Sequence, residues 1–96
     1  MKFTVRIADA AQEDLIAACQ YIARHSPENA ERWYAGMVSA IQSLAEMPER
    51  CPIAPESVAF DQTIRHMVVG NYRCLYVVRE STVYVLHVRQ SKQRRL

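Results

Sequence analysis

TIRHMVV at 63–69, GN at 70–71, YRCLYVVR at 72–79, ES at 80–81 and TVYVLHV at 82–88 decide the fold. The three longer runs are dense in β-branched and aromatic residues, the side chains that fit a pleated, half-buried surface. They predict strands at Thr63–Val69, Tyr72–Arg79 and Thr82–Val88. Gly70-Asn71 reads as a two-residue hairpin turn with glycine first, as a type II′ turn prefers. Glu80-Ser81 is a weaker turn signal of the same length. Strands joined this way form an antiparallel meander. If both turns have two residues, Val69 faces Tyr72, Val68 faces Arg73, and Val88 faces Arg73 from the other side. His66 then shares a face with Arg73, and His87 points to the opposite face.

Upstream of the meander the period changes. Phe3, Val5 and Ile7 alternate with Lys2, Thr4 and Arg6, which predicts a short strand with one buried face. Asp9 and Gln12 have the spacing of a capping box, and a first helix is expected from about Ala10 to Arg24. Leu15, Cys19 and Ile22 form its apolar stripe, widened by Ile16 and Ala23. Ser26 is placed to cap a second helix, with Pro27 at the first helical position, where a missing N–H costs nothing. Ala30, Trp33, Met37, Ile41 and Leu44 mark its buried side. Pro48 cannot continue it, so its end is expected near Met47. The link between the helices is short, which makes them an antiparallel hairpin. Residues 48–62 hold three prolines and read as an irregular connector. The predicted class is α+β, in the order β-α-α-β-β-β. A helical hairpin packs on one face of a small antiparallel sheet, and the first strand adds to an edge.

With 96 residues, the chain is expected to be one domain spanning 1–96. A body this small buries a modest fraction of its surface, so a partner that covers apolar area matters to its stability. The net charge of +2 conceals an asymmetry. Residues 1–61 carry five Lys/Arg against nine Asp/Glu, whereas residues 62–96 carry seven against Glu80 alone. A basic C-terminal third fits a polyanionic partner: nucleic acid, a ribosome or an acidic protein. Cys19, Cys51 and Cys74 are odd in number and widely spaced, which excludes a disulfide framework or zinc ribbon and fits free thiols in a reducing cytosol. Met1 leads straight into the alternating segment with no apolar leader, and no apolar run is long enough to span a membrane. Cytoplasmic location is expected, with no membrane association. Gly36 and Gly70 are the only glycines, so there is no glycine-rich phosphate loop; His25, His66 and His87 form no metal-ligand pattern. No cofactor and no metal are expected. The meander strands are apolar on both faces. The helices take one face; the other is covered by a partner or by the connector, and a partner is the expected occupant.

Several segments together resemble the RelE/ParE toxins of type II toxin–antitoxin systems. They are Asp14-Leu15, Tyr21-Ile22-Ala23, Ser26-Pro27 with Ala30-Glu31-Arg32-Trp33, and Leu44 with Met47 to Pro52. Ile64-Arg65, Gly70 to Tyr76 and Val83 to Arg89 complete the set. The likeness spans nearly the whole chain and rests on order and spacing. It implies a cytoplasmic toxin paired with a cognate antitoxin that wraps it. Members resembling RelE cut messenger RNA on the ribosome without a metal; members resembling ParE poison DNA gyrase. The long hairpin here looks like the ParE branch.

Metal-independent ribonuclease chemistry needs a base for the 2′-hydroxyl, cations for the phosphorane and an acid for the leaving oxygen. By resemblance, Arg73 occupies the position of the RNA-cleaving members' catalytic arginine, where its fork of donors can clamp a phosphate. His66, on the same predicted face, is the base candidate. RNA-cleaving relatives carry lysines in the second strand and a tyrosine in the tail; here Thr63 to Met67 holds no lysine and Gln90 to Leu96 no tyrosine. Arg65, Arg73, Arg89, Lys92, Arg94 and Arg95 are the candidate contacts to a nucleic acid or other target. The leading expectation is therefore a growth-arresting toxin aimed at DNA gyrase. The alternatives are a ribosome-dependent mRNA endonuclease using Arg73 and His66, and a non-toxic partner-binding module.

Overall fold

The computed structural model describes residues 2–91. Strand β1 (Thr4–Ile7) leads into helices α1 (Asp9–Ala23) and α2 (Pro27–Gln42). Short 3-10 turns at Ser43–Ala45, Pro48–Arg50 and Pro55–Ala59 come next, and then β2 (Arg65–Val69), β3 (Tyr72–Arg79) and β4 (Thr82–Gln90). The four strands form one sheet in the order β1-β4-β3-β2. The meander is antiparallel, but β1 runs parallel to β4, with Thr4 beside Thr82 and Ile7 beside Val85. The sheet is thus mixed rather than purely antiparallel, because the helical hairpin returns the chain to the far edge before the meander begins.

Local chemistry explains most boundaries. Ser26 Oγ accepts the Asn29 N–H at 3.2 Å, and Pro27 opens α2 as its fixed φ allows. The capping box expected at Asp9 and Gln12 does not form. Ala8 occupies the N-cap and has no side-chain acceptor, and Asp9 lies inside the first turn, where its charge still suits the helix dipole. Helix α2 ends at Gln42, short of the expected Met47. Met47 takes a left-handed conformation with φ 48°, which turns the chain into Pro48–Arg50. The Arg50 guanidinium then donates to the carbonyls of Glu46 at 2.6 Å and of Ser43 at 3.3 Å, satisfying groups that a helix end leaves open. Strand β2 starts at Arg65 rather than Thr63, since Ile64 is engaged by the connector: its carbonyl accepts the Ala54 N–H at 2.7 Å and its N–H meets Ser57 Oγ at 3.0 Å.

Both hairpin turns have two residues, Gly70 at φ 60° and Glu80 at φ 55°. Val69 pairs with Tyr72 and Val68 with Arg73, as the turn length dictates. On the third strand the register departs from the simple count. A bulge between Leu75 and Tyr76 takes Tyr76 to Val85 but Leu75 to His87, so Arg73 pairs with Arg89 and not with Val88. The extra residue, Leu86, lies just past the point where β1 stops pairing with β4.

The main core lies between the helices and one sheet face. Ala11 and Leu15 of α1 and Met37 and Ile41 of α2 meet Cys74, Tyr76, Val83, Val85 and Val88. Trp33 tilts against Tyr72 at 5.0 Å between ring centroids. Tyr76 is fully buried, and its hydroxyl donates to the Pro48 carbonyl, which fastens the connector to the core. Burial pushes this phenol's pKa up. Of the expected α1 stripe, Leu15 is buried and Ile16 is exposed; Ile7 of β1, expected on the buried face, keeps 36% of its surface exposed.

Residues 48–62 fold over the second face of the sheet. Ala54 and Ile64 bury Leu75 and Val77 to 4% and 2% exposure, with Tyr84 and Leu86 packed at the side. The connector therefore covers much of the face for which a partner is the expected occupant. Its outer surface remains apolar in turn, with Ile53, Val58 and Phe60 exposed.

Candidate functional site

The charged groups of β2, β3 and β4 meet under this connector. His66 and Arg73 share a face, as the hairpin register requires, and His66 Nδ1 lies 3.1 Å from Arg73 Nη1. Because of the bulge, His87 and Arg89 lie on that face as well. This reverses the expectation that His87 points away, since Leu86 absorbs one residue and shifts every later position on β4. The cross-strand partner of Arg73 is Arg89, which places two basic residues opposite each other on this face.

Glu56, on the 3-10 turn Pro55–Ala59, reaches into this group. Its two oxygens accept from both ends of the Arg73 fork, Oε1 from Nη1 at 3.0 Å and Oε2 from Nη2. The pairing is bidentate and shielded, with side-chain exposures of 13% for Arg73 and 24% for Glu56. The hydrogen bonds from Arg73 hold the Glu56 carboxyl at about 2, well below its ordinary 4.5; Arg89 acts in the same direction and burial opposes it. Sequence periodicity offers no sign of Glu56, which falls in a proline-rich stretch without a pattern. The available signal is weaker: Glu56 is the one charged residue between Cys51 and Phe60, in a stretch that must cross a basic strand face.

On β4 beyond the bulge, Asp14 of α1 supplies what β1 no longer does. Its Oδ2 accepts the Val88 N–H at 2.9 Å and lies 3.0 Å from His87 Nδ1. His87 also borders a cavity of about 520 Å³ lined by Ile64, Leu75, Leu86, Phe60, Glu56 and Arg89.

The remaining expected contacts divide. The Arg65 guanidinium donates to the Cys51 carbonyl at 2.7 Å and the Glu49 carbonyl at 3.3 Å, so it ties the connector down. Arg89 is exposed beside Arg73. Lys92, Arg94 and Arg95 lie outside the described residues. The three cysteines are free thiols, and burial pushes that of Cys74 up to about 12, which makes it a poor nucleophile. No group of His, Cys, Asp and Glu among the described residues is placed to hold a metal. No helix among them is long and apolar enough to cross a membrane.

The family described as "ParE toxin of type II toxin-antitoxin system, parDE" matches residues 5–95. The chain belongs to this ParE toxin family. It is a toxin of the type II toxin–antitoxin class. No curated protein matched it. Solved structures agree on the fold of the toxin. A chain of the chromosomal ParDE system from P. aeruginosa superposes with a TM-score of 0.78 at 15% identity, covering 95% of this chain and 98% of that one. A chain of the RelBE2 toxin–antitoxin complex from Mycobacterium tuberculosis gives 0.63 at 24% identity over 97% and 95%. One of the archaeal RelE–RelB complex from Pyrococcus horikoshii gives 0.63 at 14% identity over 98% and 100%. In this ParE toxin, the connector and the four-stranded sheet bring Glu56, His66, Arg73 and Arg89 together.

Proposed function

We propose that this toxin arrests growth by acting on DNA gyrase. The observation that supports this most is the bidentate Glu56–Arg73 pair. The arginine at the position of the RNA-cleaving relatives' catalytic residue already has a carboxylate across its fork, so its charge is largely spent within the protein. The absence of a lysine from Thr63 to Met67 and of a tyrosine from Gln90 to Leu96 points the same way. The test is a gyrase supercoiling reaction titrated with the full-length protein. Loss of supercoiling near equimolar toxin is expected; unchanged supercoiling at stoichiometric excess removes gyrase as the target.

One observation favours a second reading, the ribosome-dependent mRNA endonuclease. His66 Nδ1 lies 3.1 Å from Arg73 Nη1, the same nitrogen that donates to Glu56 Oε1 at 3.0 Å, so an imidazole, a guanidinium and a carboxylate adjoin in one cluster of the kind acid–base chemistry uses. Cuts in translated messages that vanish in Arg73→Ala would establish it, and intact messages during growth arrest would dispose of it.

The proposed partner is a cognate antitoxin in the cytoplasm. The three superposed structures come from toxin–antitoxin systems, and Ile16, Tyr21 and Tyr34 leave apolar area open on the hairpin. A thermal transition that rises on co-purification with the product of the adjoining gene is the expected result.

A further inference from the structure

We infer that the cavity beside the β4 bulge is a binding site for a small anionic amphiphile, a carboxylate with an apolar body of medium-chain size. The apolar part lies between the connector and β4, and the acid group meets Arg89. Such a site is independent of whether the toxin acts on gyrase or on the ribosome.

Volume and lining point to a small molecule. The cavity measures about 520 Å³, inside the range of ~300–1,000 Å³ that small-molecule sites occupy. Three chain segments meet around it: Ala8 and Ala10 where β1 passes into α1, Phe60 and Ile64 of the connector, and Leu75 and Leu86 of the sheet. The two alanines leave space that larger side chains would fill. Leu86 is the residue that the bulge inserts, so the irregularity that shifts His87 and Arg89 also supplies an apolar group to the lining. Ile64 and Leu75 keep only 5% and 4% exposure. A slender ligand entering between the segments reaches them, and the flat face of a folded protein does not.

The charges of the lining set the sign of the ligand. Glu56 has both oxygens on Arg73, so its charge is already matched. His87 Nδ1 lies 3.0 Å from the Asp14 carboxylate. Arg89 also lines the cavity, and it has no salt-bridge partner among the described residues. Its fork of donors is therefore open to a carboxylate. An apolar interior with an unmatched guanidinium at its side is complementary to an acid that carries an apolar tail.

The test titrates the full-length protein with octanoate, and with octan-1-ol as the neutral comparison, while backbone amide shifts are followed by NMR. Octanoate is expected to saturate one site, with the largest shifts at Ala10, Phe60 and Leu86. It should bind about ten-fold more tightly than octan-1-ol. Arg89→Gln should erase that preference by weakening octanoate alone. Ala10→Phe should fill the cavity and abolish binding of both. If Ala10→Phe does not fold, Phe60→Ser takes its place, at a position 58% exposed, and should weaken both ligands. Shifts that do not saturate, or that centre on Tyr21 and Tyr34 of the hairpin, overturn the proposal. Equal affinity for the alcohol overturns it too, as does a preference that survives Arg89→Gln. An acidic peptide bearing an aromatic residue that binds here while octanoate does not also overturns it, and assigns the cavity to a protein partner.

Discussion

The Asp14 carboxylate on α1 accepts the backbone N–H of Val88 on β4 at 2.9 Å, and so completes a sheet edge that β1 leaves unfinished. Strand β1 pairs with β4 only as far as Val85. Past that point the bulge lifts Leu86, and the Val88 N–H turns toward α1 where no strand can take it. One side chain from the first helix thereby holds the part of β4 that places Arg89 against Arg73.

Removing that acceptor has a definite cost. Val88 is 5% exposed, so its N–H has little access to water. Asp14→Ala is expected to lower stability by about 1–2 kcal/mol, the usual penalty for an orphaned buried donor. Asp14→Asn keeps an oxygen acceptor and should lose less than half as much. Urea denaturation at neutral pH separates the two, and equal losses would mean the Val88 bond contributes nothing.

The Glu56–Arg73 pair makes stability depend on acid. The folded carboxyl titrates at about 2 instead of 4.5, so its stabilising contribution is fully present above pH 4.5. It is lost as the pH falls from 4.5 toward 2, where the folded form also becomes protonated. Allowing for the partial solvent screening of a pair at the edge of the connector, that loss is about 1–2 kcal/mol. Glu56→Gln should show a flatter stability profile across this window. The check is the thermal midpoint against pH for both proteins; parallel curves would show that the pair does not couple to folding.

The two glycines should respond to alanine with opposite signs. Gly70 sits at φ 60° in the β2–β3 turn, a conformation that a Cβ strains even though no atom lies within 4 Å of where it would go. Gly70→Ala should destabilise by about 1 kcal/mol. Gly36 is an exposed position inside α2 with equally open space, and there Gly36→Ala should stabilise by about 0.5–1 kcal/mol through helix propensity. Chemical denaturation of both variants reads the pair of signs directly.

Tyr76→Phe isolates the tie between the core and the connector. The phenol is fully buried and donates to the Pro48 carbonyl, so the substitution leaves that acceptor unpaired at constant packing. A loss of about 1–2 kcal/mol is expected. Faster proteolysis within residues 48–62 should accompany it, and unaltered cleavage there would show that other contacts hold the connector.

The range of each interaction decides whether it is legible in the sequence. The alternation in 63–88, the Gly70-Asn71 turn and the Ser26-Pro27 helix start are local signals, and they place His66 beside Arg73 correctly. The parallel pairing of β1 depends on where the helical hairpin returns the chain, which no local pattern encodes. The bulge at Leu86 lies in the β3–β4 pairing just past the end of the four-residue β1, so it coincides with a junction between elements far apart in sequence. One shifted residue then moves His87 and Arg89 onto the face of Arg73. Glu56 escapes pattern reading because the connector has no period, although that same connector covers Leu75 and Val77 and neutralises Arg73.

The central claim is that this toxin stops DNA synthesis rather than translation. The most direct measurement is induction of the free gene in a bacterial host while pulse-labelled DNA and protein synthesis are tracked together. DNA synthesis is expected to fail first, with messages left intact. Protein synthesis failing first, with cut messages that disappear in Arg73→Ala, would contradict the claim.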